Sequence, residues 1–161
     1  MPTRLPTIAI ALGIVGLVPF LVCAVPALSE PDDRSSRWVM ALAEYGAVAL
    51  ALVGGVQWGM VLASPEPRAR DRLRLALGLL ASLIGWAGLV VTLVLPVDFG
   101  LAVLIAGFAA AVLAEARLKR DGLVPSGYMW LRWGQSLVVV AILVTVLTVR
   151  LLHMFWPGVS L

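Results

Sequence analysis

"EYGAVALALVGGVQWG", residues 44–59, contains a carboxylic acid, an amide, two aromatic rings and four glycines within a stretch that is otherwise hydrocarbon. Together with its apolar neighbours it forms a run from Trp38 to Ala63. A helix needs about 20 mostly apolar residues to cross a hydrocarbon core of about 30 Å. The run therefore predicts a membrane-spanning helix that carries polar groups.

The composition of the whole chain is also typical of an integral membrane protein. Its 161 residues are 61% hydrophobic and 13% charged, which is too apolar for an ordinary soluble domain. The basic residues lie in short loops, so we expect no nucleic-acid partner. One cysteine, Cys23, and one histidine, His153, provide neither a disulfide framework nor a metal or haem site, so we expect no cofactor, no metal and no catalytic residue.

Hydropathy divides the chain into five candidate spans separated by polar breaks. We predict an all-α bundle in one transmembrane domain, residues 1–161, with helices at 5–28, 38–63, 73–95, 99–116 and 131–156. The break at Pro96 to Asp98 is so short that the third and fourth helices must form an antiparallel hairpin.

The first span shares features with a secretory signal, since Arg4 precedes it and Val25-Pro26-Ala27 resembles a cleavage site. Its apolar run is longer than the roughly 7–15 residues of a signal peptide. We therefore expect a retained helix, kinked by Pro19 and Pro26.

Lysine and arginine are distributed unequally between the two sides of the membrane. Five crossings place nine of them on the side of the N-terminus and three on the other side, the three being Arg34, Arg37 and Arg150. Because basic loops stay in the cytoplasm, we predict that the N-terminus is inside and the C-terminus outside. We expect the inner arginine-rich loops to lie at one membrane surface, where attraction to anionic lipid anchors and orients the chain, with a specific lipid site as the alternative; their basic residues are Arg68, Arg70, Arg72, Arg74, Arg117, Lys119 and Arg120.

Small residues recur at spacings that let membrane helices approach closely. Gly55 and Gly59 form a GxxxG motif and share one face of their helix with Glu44, while Gly46 and Gln57 lie on roughly the opposite face. The residues that we expect to pack helices together are Gly13, Gly16, Gly46, Gly55, Gly59, Gly78, Ser82 and Gly85.

Polar residues inside the predicted spans are the candidate ligand-binding or structural core, because ionisable groups in a membrane are costly and commonly functional. This set comprises Glu44, Tyr45, Gln57, Trp58, Gln135 and Arg150. Glu44 and Arg150 lie at matching depths near the outer surface, so we predict that they pair, with Arg37 as the rival partner of Glu44. Gln57 and Gln135 match in depth near the inner surface.

The opening stretch also resembles a known family. Residues 44–59, Gly16 to Pro19 (GLVP) and Pro125 to Val140 (PSGYMWLRWGQSLVVV) are similar to an uncharacterised family of small five-helix membrane proteins that includes mitochondrial transmembrane protein 69. In that family a histidine usually precedes the Trp–Gly pair, whereas this chain has Gln57 there, which puts histidine-dependent chemistry in doubt. The resemblance implies a bacterial cytoplasmic membrane or, as the alternative, a mitochondrial inner membrane, and it implies no reaction.

Two functions of different classes remain. The first is a non-enzymatic accessory or assembly factor, with membrane lipids and a larger membrane complex or a second copy as partners. The second is a carrier or binding protein for a small or lipophilic molecule, with Glu44, Gln57 and Gln135 lining the site. Five helices and the lack of a visible inverted repeat favour the first function.

Overall fold

The computed structural model describes residues 7–29, 32–64, 70–120 and 126–155. These residues form helices and the turns between them, and no strand occurs in the described ranges. The helices are α1 (Thr7–Val15), α2 (Val18–Ser29), α3 (Asp32–Leu62), α4 (Asp71–Val94), α5 (Val97–Arg120) and α6 (Ser126–Phe155).

Five helical segments are long and apolar enough to cross a membrane. They are Ile10–Ser29, Arg34–Leu62, Asp71–Val94, Val97–Leu118 and Trp130–Phe155. Exposed large apolar side chains occur on every helix, as expected of surfaces that face lipid; examples are Ile8, Val22, Leu52, Leu79, Leu113 and Leu137. The predicted all-α architecture with five membrane spans is confirmed.

Three helices extend by four or more residues beyond a bound predicted from hydropathy. α3 begins at Asp32 instead of residue 38, α5 continues to Arg120 instead of residue 116, and α6 begins at Ser126 instead of residue 131. The 31 residues of α3 span about 46 Å at 1.5 Å per residue. This length exceeds a hydrocarbon core of about 30 Å, so the helix ends continue into the polar layers that hydropathy does not mark.

The first span is interrupted between α1 and α2, just before Pro19, one of the two prolines at which a kink was predicted. α1 ends at Val15, and the Leu17 N–H donates to the Ile14 carbonyl at 2.9 Å, which tightens the last turn. The ring of Pro19 would clash with the carbonyl of Val15 four residues earlier in a continuous helix. Pro19 instead lies in the first turn of α2, where its missing N–H removes no bond.

α4 and α5 form the predicted antiparallel hairpin. Leu95 is extended, with φ −129° and ψ 162°, because the residue before Pro96 is pushed out of the helical region. The Phe99 N–H then donates to the Pro96 carbonyl at 3.0 Å as α5 begins. Beyond the turn, a Cβ added to Gly88 would lie 3.5 Å from the Gly100 carbonyl oxygen, so the two backbones are in contact.

The chain forms two compact units. The terminal unit comprises Met1–Leu42 and Glu115–Leu161, and the central unit comprises Ala43–Ala114. In the terminal unit α6 packs against both α1 and α2, and the buried side chains include Phe20, Val39, Leu42, Leu143 and Val146. In the central unit they include Leu50, Leu101, Leu104 and Phe108. The expectation of a single domain stays a prediction.

Candidate functional site

A buried arginine lies in the central unit, near the beginning of α4. Arg74 is 1% exposed, and its Nε and Nη2 donate to Oε1 of Gln57 near the end of α3, at 3.4 and 3.5 Å. Gln57 is 4% exposed. On the same part of α3, Nε1 of Trp58 donates to the Leu75 carbonyl at 3.0 Å. Gln57, Trp58 and Arg74 are called the central cluster below.

Two glycines place the central cluster by bringing α3 and α4 into backbone contact. A Cβ on Gly54 would overlap the Gly78 carbonyl oxygen, and a Cβ on Gly78 would lie 2.6 Å from the Gly54 oxygen and 2.7 Å from Cδ1 of Trp58. Only glycine fits at both positions, because any larger residue would force the helices apart. This approach lets the Gln57 side chain reach Arg74.

Further small residues continue the same contact along the central unit. A Cβ on Gly85 would lie 2.9 Å from the Ala47 carbonyl oxygen, so α3 and α4 stay close at this level too. Gly107 of α5 would place a Cβ 2.7 Å from side-chain atoms of both Ile84 and Leu50. Such backbone approach is how membrane helices gain packing energy without a hydrophobic driving force.

The terminal unit contains a second buried arginine, in α6. Nε of Arg132 lies 3.4 Å from Oε1 of Glu115 in α5, and both side chains are nearly inaccessible. Nη1 of Arg132 donates to Oγ of Ser136 at 2.9 Å, and Ser136 is 1% exposed. Glu115, Arg132 and Ser136 are called the terminal cluster below. It ties α5 to α6 by an ion pair.

Two more contacts join helices of the terminal unit. Oγ of Ser35 in α3 donates to the Ala27 carbonyl of α2 at 2.7 Å. A Cβ on Gly13 of α1 would overlap Nε2 of Gln135, so the amide of α6 lies directly over this glycine.

The chemistry available to both clusters is limited by their arginines. A guanidinium is always protonated in proteins and only donates hydrogen bonds, so neither Arg74 nor Arg132 is a general base. Ser136 would need a base beside its hydroxyl to act as a nucleophile, and the group bonded to it is the Arg132 guanidinium. The clusters can hold helices together or bind an anion. Among the described residues no group of three metal-ligating side chains occurs.

The members of the predicted polar core belong to two units and are described within each unit. Gln57 bonds with Arg74 and Trp58 lies beside Gly78, whereas Gln135 lies over Gly13. Tyr45 and Arg150 are half-buried and Glu44 is exposed. Glu44 and Arg150 belong to different units, so their pairing stays a prediction.

One expectation about an individual residue requires correction. Arg74 was expected at the membrane surface, but it is buried in the central cluster. Gly55 and Gly59 are both exposed, and among the described residues no atom lies within 4 Å of a Cβ added at either position, so their role in helix packing stays a prediction. Gly54 makes the close contact instead, since one residue along a helix turns the side chain by about 100°.

Sequence reasoning overlooked Glu115, Arg132, Ser136 and Ser35 as buried polar residues, together with the burial of Arg74. One pattern could have identified Arg74. It precedes Gly78 by four residues and Gly85 by eleven, which places it on the glycine face of its helix. Glu115 likewise interrupts an apolar run, the position at which an ionisable residue needs a partner.

Comparisons with known proteins place this architecture in a family. Residues 5–148 match the family described as "Protein of unknown function (DUF3429)". Mouse (Mus musculus) "Transmembrane protein 69" is 34% identical over 86 residues, an alignment that covers 52% of this chain and 34% of that protein. The matched region is therefore about a third of the relative's length. No solved structure matches the chain. With five membrane spans and a match over most of its length, the chain belongs to the DUF3429 family of proteins of unknown function.

Proposed function

We propose that this multi-pass membrane protein is a non-enzymatic accessory or assembly factor that docks on a larger membrane protein complex. The observation that carries the proposal is the backbone contact of α3 and α4 at Gly54 and Gly78, beside the buried bond between Arg74 and Gln57. The backbone contact and the buried bond oppose movement of α3 against α4, which suits a docking role.

The terminal cluster supports the same function. Its arginine is held from two sides, by the Glu115 carboxylate and by the Ser136 hydroxyl. Buried ionic groups of this kind specify one arrangement of helices, because breaking the pair leaves an uncompensated charge in an apolar medium. In both units the buried polar side chains thus hold helices in place.

The carrier function has less support. Of its three proposed lining residues, Gln57 is engaged by Arg74 and Gln135 lies over Gly13, so two of the amides already take part in helix packing. The third, Glu44, is exposed.

We further propose the bacterial cytoplasmic membrane as the location, with the mitochondrial inner membrane as the alternative. The support is the family resemblance carried by residues 44–59, and the ratio of nine to three basic residues agrees with an N-terminus in the cytoplasm or, for the alternative, in the matrix. The mouse relative is named only as a transmembrane protein, which agrees with either location.

Purification of the full chain from native membranes in a mild detergent tests the accessory role. We expect one set of membrane proteins to co-purify in fixed ratio, and we expect loss of the chain to reduce the amount of the assembled complex on native gels. A chain that elutes alone, or only with a bound lipid or small molecule in a one-to-one ratio, would contradict the accessory role and favour the carrier.

A further inference from the structure

One face of α3 is exposed from Glu44 to Gly59 and carries a carboxylate. Glu44, Val48, Leu52, Gly55 and Gly59 are all exposed, and they fall within about 80° of one another on a helix that turns about 100° per residue. Val48 and Leu52 are 63% and 70% exposed. These five residues are called the α3 stripe below.

The position of Glu44 within the membrane span makes the stripe unusual for a surface that faces only lipid. Glu44 follows Trp38, the first residue of the apolar run, by six residues, which is about 9 Å along the helix. Among the described residues of its own unit it makes no hydrogen bond or ion pair. Ionisable side chains at such depth rarely face lipid and nearly always pair with another group.

The glycines of the same stripe provide room for a close neighbour. No described atom lies within 4 Å of a Cβ added at Gly55 or Gly59, so both glycines present bare backbone on the exposed side. Their spacing of four residues is the one at which small residues let two membrane helices approach. The carboxylate and the glycine pair thus lie on one line, with Val48 and Leu52 between them.

We infer that the α3 stripe docks a transmembrane helix of a partner protein, one that carries a lysine or arginine at the depth of Glu44. This inference rests on the proposed accessory function and assigns its docking surface. Charge complementarity selects the partner, because a carboxylate in an apolar medium is stabilised by an opposite charge. A second copy is a poorer fit, since a two-fold dimer through this face would place two Glu44 side chains at the same depth and oppose like charges.

Photo-cross-linking in native membranes tests the inference. A photoreactive amino acid is placed at Leu52, in the stripe, and as a matched control at Leu83, which is 50% exposed on α4 of the same unit. We expect position 52 to give one discrete protein adduct that position 83 does not give. Mass spectrometry of the adduct should identify a membrane-spanning segment with a basic residue.

Two variants connect the adduct to the chemistry of the stripe. Glu44→Gln should lower the yield of the adduct by about three- to tenfold, the range expected for one hydrogen bond between membrane helices. Gly59→Leu should also lower it while leaving the chain folded, since nothing in the described chain opposes the new side chain. Gly134→Leu is its control, because Gly134 of α6 is likewise exposed with no described atom within 4 Å. It should leave the yield unchanged.

Several results would overturn the inference. Adducts with lipid alone, with a second copy of the chain, or with equal yield from Leu52 and Leu83 would each remove the proposed surface. Pairing of Glu44 with Arg150 of the same chain would also overturn the inference. Such a pair would give equal losses of stability for Glu44→Gln and Arg150→Gln in the purified chain, with no further loss in the double variant. If a complex co-purifies but is cross-linked elsewhere, the accessory role stands and only this surface fails. If no protein co-purifies, the accessory role itself fails.

Discussion

The guanidinium of Arg74 and the side-chain oxygen of Gln57 lie 3.4 Å apart in the interior of the central unit, at the level where α3 and α4 touch through Gly78 and Gly54. The bond joins the beginning of one membrane helix to the end of the preceding one. Because both side chains are buried, bulk water would not replace the Gln57 oxygen as the acceptor of the Arg74 hydrogen bonds if that oxygen were removed.

Loss of the Gln57 oxygen should therefore destabilise the fold. We expect Gln57→Leu to lower the free energy of unfolding by about 1.5–3 kcal/mol, the value of a hydrogen bond to a charged group. Arg74→Met should lower the free energy of unfolding much more than Arg72→Met does. Arg72, two residues earlier on the same helix, is exposed. Reversible unfolding in detergent micelles measures these differences. Equal losses for Arg72→Met and Arg74→Met would contradict the buried arrangement.

Substitution by alanine should have opposite effects on stability at two adjacent glycines of α3. Gly54→Ala would bring a methyl group onto the Gly78 carbonyl, so we expect a loss of about 1–3 kcal/mol from overpacking. Gly55→Ala meets no described atom within 4 Å and should be neutral, or up to about 1 kcal/mol more stable through higher helix propensity. Thermal unfolding of the two variants in the same detergent makes the comparison. A larger loss for Gly55→Ala would mean that the other face of α3 meets α4.

Removing one member of the ion pair in the terminal cluster should destabilise the fold more than removing both members. Glu115→Gln removes the charge that faces Arg132, and we expect a loss of about 3 kcal/mol. The double variant Glu115→Leu with Arg132→Met should be more stable than Glu115→Gln alone, since it leaves no buried charge. Arg117→Gln, at an exposed position on α5, is the control and should change little. Additive losses in the double variant would exclude coupling between Glu115 and Arg132.

The orientation in the membrane can be tested with a reporter enzyme that is active only outside the cytoplasm. With nine basic residues on the N-terminal side, we expect a fusion after Leu161 to be active and a fusion at Arg70 to be inactive. Expression of both fusions is measured in parallel with an antibody to the reporter. Activity at Arg70 combined with inactivity after Leu161 would indicate the opposite orientation.

The sequence by itself determined the features that depend on local pattern. Five apolar runs predicted five membrane spans, because each must satisfy its backbone hydrogen bonds as a helix within the bilayer. The short segment around Pro96 predicted the hairpin, since it leaves room for no other connection. The prolines predicted an irregular first span, and the break lies at Gly16 and Leu17, within the four residues before Pro19.

Only the tertiary structure decided which face of each helix meets a neighbour. In water the apolar face of a helix marks the core, but in a bilayer lipid and protein interior are both apolar, so hydropathy does not distinguish Gly54 from Gly55. For the same reason an arginine near a helix end fits either the surface or a buried pair. Arg74 is buried because α3 places the Gln57 oxygen beside it as a hydrogen-bond acceptor. Arg132 is buried because α5 places the Glu115 carboxylate beside it, which balances its charge.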